Sequence, residues 1–402
     1  RKRSGIAMSQ SMYAKLLAQS QQGGAAASSA PAPLPEADAL VVSPPAVKPL
    51  ADGVLLVFGS TSWDEMGKKA GAQTEETPNL FGPHRLLAGF DGVKISFVCA
   101  SGVSAHCIAV ATGGEAYSWG RNADGQLAHG DKLTRHKPTR IKAFEGIPIK
   151  AASTGKAHTV FVTSDGSLRA CGANKQGCAG AAGLKNKKSD CEPMPVAVPG
   201  APPIVSIASG ANFNLAVDED GDVWAWGWSE FGVLGNGTDG QFNKSDSSIK
   251  LTYSPSATPT AVLKLKGKKT VQVACGAAHC VSVSADGTCY TWGSGGYGRL
   301  GHKDQADKWV PTELPEIKAK EVGAGLVHTF AIGYAVLRNG VVCKGQPSVY
   351  LWGRARSASQ DPWMYPKPED ELRGWNVHCF GVGSTHNVVY ADSSTISWGS
   401  SA

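Results

Sequence analysis

The chain has 402 residues, 42% of them hydrophobic and 18% charged, with a formal net charge of +6. Residues 1–50 carry +3 of that (Arg1, Lys2, Arg3, Lys15 and Lys48 against Glu36 and Asp38), so the remainder is too nearly balanced to spread a nucleic-acid-binding field over the whole body, although local patches remain open. Ten cysteines without a C-x-x-C pair match neither a disulfide-dense secreted module nor a zinc ribbon, which favours a reducing compartment, and no apolar run reaches the roughly 18 to 20 residues of a membrane span.

The chain opens on RKRSGIAMSQSMYAKLLAQ, a basic stretch that reads as a nuclear-import cluster, the remnant of an organellar transit peptide, or an inert tail. It starts with Arg rather than Met, the expected mark of a fragment or a processed form. Residues 20–50 are rich in Ala, Ser, Pro and Gln without periodicity, so residues 1–50 are expected to be a disordered basic tail and linker. The folded body is expected over 51–402, beginning with the apolar strand GVLLVFG at 53–59.

From there one phrase recurs. Trp-Gly, or a stand-in for it, closes a strand at Phe58-Gly59, Trp119-Gly120, Cys171-Gly172, Trp226-Gly227, Trp292-Gly293, Trp352-Gly353 and Trp398-Gly399. All but the first are preceded by a Gly paired with a nearby His or Phe: Gly102 with His106, Gly155 with His158, Gly210 with Phe213, Gly276 with His279, Gly325 with His328 and Gly383 with His386. Short β-rich runs such as IVSIASG, NFNLAV and DVWAWG, with an Asp-Gly turn between the last two, mark each unit as a small antiparallel sheet. Such a sheet has two exposed edges and two faces to bury, and radial stacking answers both needs. The expected fold is all-β, a seven-bladed β-propeller whose last blade is incomplete.

Cys275, His279, Cys280, Cys289 and His302 lie close enough together to suggest zinc when read alone. His279, however, has counterparts in His106, His158, His328 and His386, and Cys275 has them in Cys99 and Cys379; a residue that returns in successive units serves architecture. These five His, with Trp119, Trp226, Trp292, Trp352 and Trp398, are therefore read as structural. No nucleophile elbow or P-loop is present, and the expectation is no catalytic residue, no metal and no cofactor.

The composite phrase, complete in GAAHCVSVSADGTCYTWGSGGYGRLGH (276–302), resembles the regulator-of-chromosome-condensation repeat, and the resemblance spans essentially all of 53–402. Stretches outside the shared repeat, LLVFGSTSWDEMG (55–67) and GPHR (82–85) among them, are similar to one mitotic member of that family. The resemblance implies a seven-bladed propeller. It also implies a role: the founding member promotes nucleotide exchange on a nuclear small GTPase while held on chromatin, and the mitotic relative works at centromeres and the spindle midzone with Rho- and Ral-type GTPases. Plant ultraviolet receptors of the family use Trp clusters, but here the Trp residues outside the repeat are dispersed and the G-W-R-H-T signature of those receptors is absent. The chain departs from the pattern at Phe58 and Cys171 for Trp, at Ala128 for Gly, and after the seventh Trp-Gly, where the family continues. An open ring with an unpaired edge, and a natural chain extending beyond Ala402, are the expectations.

The reading is therefore a non-enzymatic scaffold that binds a small GTPase or promotes its nucleotide exchange, in mitosis, chromosome or cytoskeletal regulation. It would act as a monomer within complexes at the nucleus or chromosome and in the cytoplasm or on the cytoskeleton, with chromatin or microtubules as further partners. The alternative is a purely structural propeller docked in a ciliary, microtubule-bound or ribosomal assembly. Candidate contacts fall where the repeat breaks: residues 235–269, which lengthen the link between the fourth and fifth units and end in Lys264, Lys266, Lys268 and Lys269; a second cluster, Lys185, Lys187 and Lys188; and Arg121, Arg299 and Trp309 on or just after inter-strand turns.

Overall fold

A computed structural model describes residues 40–43, 55–60, 79–85, 90, 92–180, 191–245, 248–343, 345–354 and 361–399. The cluster Lys185, Lys187 and Lys188 lies outside them. Among the described residues every helical element is a single 3-10 turn, and the strands form antiparallel sheets, one for each Trp-Gly phrase except that the fifth and sixth share a seven-stranded sheet and that one extra hairpin stands apart. In chain order the strands of a unit are called a, b, c and d. The first unit has Leu56–Ser60 and Asn79–Arg85, in the c and d positions. The second has Ile95–Cys99, His106–Ala111, Ala116–Gly120 and Arg135–Arg140; the third Ile149–Thr154, His158–Thr163, Leu168–Ala173 and Cys191–Ala197; the fourth Ile204–Ser209, Phe213–Asp218, Val223–Trp228 and Pro255–Ala261. The fifth has Thr270–Cys275, His279–Ser284 and Thr288–Gly293, and the long strand Lys308–Ala324 serves as its d and as a of the sixth, which adds His328–Ala335, Ser348–Gly353 and Trp363–Pro368. The seventh has Val377–Val382, His386–Ala391 and Ser394–Gly399, with no d strand beside the last among the described residues. The fold is an all-β propeller.

The b strands read as near-continuous apolar or small runs, such as HTVFVT and HCVSVS, because both faces of a blade are covered by neighbouring blades; both of these strands are buried throughout. The core is accordingly divided among the seams. Trp292 of the fifth unit packs with Phe213, Leu215 and Val223 of the fourth, and Trp226 packs with Val160 and Val162 of the third. Each such indole buries on the order of 150–250 Å².

The outer strands are the ones sequence pattern hides, because each carries proline: Pro138, Pro259, Pro311 and Pro366. Proline donates no backbone hydrogen bond and is confined to sheet edges or bulges. Here it occupies both. The c–d ladder skips at Trp119, Trp226, Trp292 and Trp352, where the d strand places the proline-bearing residues opposite. The prolines also blunt the rim against edge-to-edge pairing.

At the axis the a–b turns join hands. Lys156 N–H donates to the Ala211 carbonyl, Ala211 to Ala277, Ala277 to Leu326 and Leu326 to Ser384. The turn at Gly102 completes the circuit, its Cα backed against the Gly383 carbonyl, so the axial turns close although no described strand pairs with the outer side of Ser394–Gly399. These turns also explain the recurrent Gly before His or Phe: a Cβ at Gly155, Gly210, Gly276, Gly325 or Gly383 would overlap the ring of His158, Phe213, His279, His328 or His386.

Strand direction puts a–b turns and c–d loops at one end of the propeller, and b–c turns and d–a links at the other. Residues 235–269 are consequently not one loop. The strand Pro255–Ala261 crosses the whole blade between a hairpin, Gln241–Asn243 with Leu251–Tyr253, at the first end and Lys264 to Lys269 at the second. One stretch of the expected linker is ordered: Val42 donates to the Ala285 carbonyl at 2.7 Å, and Leu40 and Val42 join the apolar cluster between the fifth and sixth units. They belong to the apolar triplet Leu40-Val41-Val42 in an otherwise polar and Pro-rich stretch.

Candidate interaction faces

What the recurring His and Trp do is set by register. In every unit from the second to the seventh, the His or Phe of strand b stands opposite the Gly of strand c, and the next residue of b stands opposite the Trp or its stand-in. That next residue is Cys107, Thr159, Asn214, Cys280, Thr329 or Asn387. From one unit to the following one, His106 Nε2 reaches Thr159 Oγ1 at 2.8 Å, His158 reaches Asn214 Oδ1 at 2.8 Å, His279 reaches Thr329 Oγ1 at 2.9 Å and His328 reaches Asn387 Oδ1 at 3.0 Å. In return, the following unit grips one carbonyl of the unit before. The Gln126 carbonyl accepts from Thr159 Oγ1 and Cys171 Sγ, Cys178 from Asn214 Nδ2 and Trp226 Nε1, and Val233 from Cys280 Sγ and Trp292 Nε1.

The Thr hydroxyls spend their proton on those carbonyls, so the His facing them donates through Nε2 and is neutral. Its Nδ1 is buried without a partner at His106, His279 and His328. A second proton would have no acceptor. Burial, with the charge of His158 nearby, pushes His106 down to about 3, and burial pushes His158 down to about 4. His386 departs from the structural expectation in being exposed.

Three of the five apparent zinc ligands have partners of their own. His279 is in the latch, Cys280 donates to Val233 with its thiol held high by burial, and His302 bonds Thr291 at 2.9 Å. No group of three His, Cys, Asp or Glu able to hold a metal occurs among the described residues. Cys171, the stand-in for Trp in the third unit, keeps the donor and loses the bulk; Phe144 and Phe161, edge to face at 4.7 Å, pack in the same cluster. Ala128, which replaces a Gly at φ +66°, belongs to that seam too. Its equivalents Gly235 and Gly301 lie against Trp292 and Trp352, where a Cβ would come within 3.2 Å and 3.1 Å of the indole. Against Cys171 a methyl group fits, so the two departures are one coupled change.

The proposed contact residues divide between the ends. Lys264, Lys266, Lys268 and Lys269 are exposed beside the b–c turn of the fourth unit, where Gly267 N–H donates to Asp222 at 2.8 Å, and none forms an ion pair among the described residues. Arg121, half-buried, Trp309 and Arg299 lie at the other end. Trp309 covers the backbone of Gly232 and remains 45% exposed. Arg299 departs from the expected rim anchor: it is only 7% exposed, and its Nε donates to the Gly296 carbonyl at 2.7 Å. Sequence reasoning missed the hairpin at this end. It carries Phe242, Ile249 and Leu251 at 44%, 88% and 56% exposure, and the signal was the alternating QFN and LTY on either side of a polar turn.

Two family models, both for the regulator of chromosome condensation (RCC1) repeat, match this chain, one at residues 113–162, 220–283 and 286–332, the other at 149–178, 204–233 and 270–299. The chain is 34% identical over 370 residues to Protein RCC2 of Mus musculus, covering 87% of this chain and 68% of the relative, and 33% identical over 372 residues to the Protein RCC2 homolog of Xenopus laevis, covering 87% and 69%. The chain belongs to the regulator of chromosome condensation repeat family. Its fold matches yeast RCC1 (Prp20), solved with Kap60, at a TM-score of 0.64 and 21% identity over 90% of this chain and 80% of that one. A second structure, of Prp20p from Saccharomyces cerevisiae, described with its binding properties to Gsp1p and histones, matches at 0.59 and 21% over 77% and 72%. In this chain the Trp, Gly and His of the repeat are the latch between units.

Proposed function

We propose that this chain is a small-GTPase-binding propeller that promotes nucleotide release in chromosome or cytoskeletal regulation, using the end that carries the hairpin. The observation that carries the reading is the hairpin itself: it carries three exposed apolar side chains, and the chain just ahead of it, at Gly237, donates to the carbonyl of exposed Trp309. A monomeric surface keeps such a cluster for a partner. Release of nucleotide by this route needs no catalytic side chain. It needs tighter binding to the nucleotide-free GTPase than to the loaded one. Likeness to Protein RCC2, and to a fold whose yeast representative is described with Gsp1p and histones, supports a GTPase and a chromatin partner. The exposed lysines at the opposite end supply a separate surface for an acidic partner such as chromatin or a tubulin tail.

The test is release of a fluorescent guanine nucleotide from a panel of small GTPases. Acceleration by the chain, lost in Phe242→Ser with Leu251→Ser and kept when the four lysines become Glu, is expected. Neither acceleration nor retention of nucleotide-free GTPase would sink the reading, and binding without acceleration would leave a docked scaffold.

A further inference from the structure

The seam between the fifth and sixth units departs from its siblings in charge. The residue after Trp-Gly or its stand-in is Arg121, Ala173, Trp228 and Ser294 in the second to fifth units and Arg354 in the sixth; the position held by Gln126, Cys178 and Val233 in the second, third and fourth units is Arg299 in the fifth. These two positions meet across a seam. Between the fourth and fifth units they hold Val233 and Ser294; between the fifth and sixth they hold two arginines.

Both guanidiniums address one ring. Tyr297, 39% exposed and at φ +60°, has the Arg354 guanidinium carbon 3.7 Å from its ring centroid and that of Arg299 at 5.7 Å. The left-handed conformation is shared with Phe231 of the fourth unit, so it belongs to the repeat; two arginines meeting across a seam occur only here among the described seams. Neither forms an ion pair among the described residues, and Arg354 Nε is buried with no hydrogen-bond acceptor. The acids of the same loop are engaged elsewhere: Asp307 accepts from Gly295 N–H at 2.8 Å, and Asp304 pairs with Lys308 at 3.0 Å. Two cations gathered on one aromatic ring, one of them only 7% exposed, repel each other, and Asp307, the acid whose charge acts on Arg299, forms an ion pair with neither among the described residues.

We propose that Arg299, Arg354 and Tyr297 form a binding site for a phosphate-class oxyanion at the hairpin-bearing end of the propeller. A phosphate carries close to two negative charges near neutral pH and enough acceptor oxygens to engage both guanidiniums at once, whereas a carboxylate answers one. Stacking on Tyr297 holds the Arg354 guanidinium in place and leaves its N–H groups free to donate to an anion. The inference is independent of GTPase binding.

The test is thermal unfolding of the full chain in chloride buffer with added inorganic phosphate or acetate at matched ionic strength. Inorganic phosphate is expected to raise the midpoint saturably and acetate not to. Arg354→Ser and Arg299→Val copy the residues that the fourth–fifth seam carries, and each should weaken phosphate about tenfold or more. The variant with Lys264, Lys266, Lys268 and Lys269 changed to Glu, at the opposite end, should respond as the unaltered chain does. O-phosphoserine as a second probe separates a free anion, which it would not replace, from a phosphoryl group carried on a side chain, which it would. Four results each overturn the site: no response to phosphate, an equal response to acetate, a response surviving in Arg354→Ser, or loss of folding in both arginine variants, which would make the pair structural.

Discussion

Between the third and fourth units His158 donates to Asn214, while between the fourth and fifth the same two positions hold Phe213 and Cys280, packed in one apolar cluster. The outer half of the latch is unchanged across the two seams. Trp226 Nε1 reaches the Cys178 carbonyl at 3.0 Å, and Trp292 Nε1 reaches that of Val233 at 2.9 Å. What a seam requires at its inner end is thus a matched pair, polar with polar or apolar with apolar, since a half-satisfied pair would strand a buried donor. Histidine is one solution to that requirement and not its purpose.

The largest consequence of the difference is in acid. A histidine whose folded pKa is depressed contributes stability that is present above its unfolded value of about 6.5 and is lost as pH falls toward the folded value. His106 and His158, held at about 3 and about 4, should each approach a loss of about 1.4 kcal/mol per pH unit between pH 6.5 and 4. Over that window this is about 3 kcal/mol for each. The seam with Phe213 should contribute nothing. Denaturant midpoints measured from pH 7 to 4.5 are expected to fall, and the double change His158→Phe with Asn214→Cys should flatten the fall by one histidine's share. A midpoint that does not move over this range would contradict the buried neutral state of both rings.

Next in size is the indole. Trp292→Ala removes a fully buried side chain and a donor to Val233, and should cost about 3–5 kcal/mol in equilibrium unfolding. Cys171→Ala, on the seam where Phe144 and Phe161 pack with the smaller residue, removes only a sulfur and a weak donor and should cost about 1 kcal/mol. Equal costs would mean that Cys171 carries more of its seam than its contacts suggest.

The repeat itself was legible because Trp, Gly and His recur at fixed positions that backbone register and close packing demand. The outer strands were not, because their prolines erase the alternation by which a strand is read, and the 235–269 segment reads as one link for that reason. The inner latch lay half in view. Thr159, Asn214, Thr329 and Asn387 each follow a landmark residue, as Cys280 follows His279, but the pairing runs to the neighbouring unit, 50 to 59 residues away, and only register brings it out. Arg299 was taken for an exposed anchor because a turn position predicts exposure on average, while here the next blade's Gly353 backs directly onto its Cα.

The smallest effect is the most discriminating. Phe213→His alone would place a ring nitrogen against Cys280, whose sulfur already donates to Val233 at 3.4 Å and is a poor acceptor. The stranded donor should cost about 1–3 kcal/mol. Cys280→Thr alone leaves its hydroxyl free to donate to the Val233 carbonyl, as Thr159 and Thr329 do at their own seams, and should cost less. Together the two changes rebuild the His279–Thr329 arrangement one seam earlier, so the double variant should recover most of the loss in a double-mutant cycle. It should also acquire acid sensitivity that the parent seam lacks, because the new histidine enters a site equally withdrawn from water. If the two changes were merely additive, matching at the inner end would not be what holds adjacent blades together, and the repeated His would have to be explained by the axial turn it packs against.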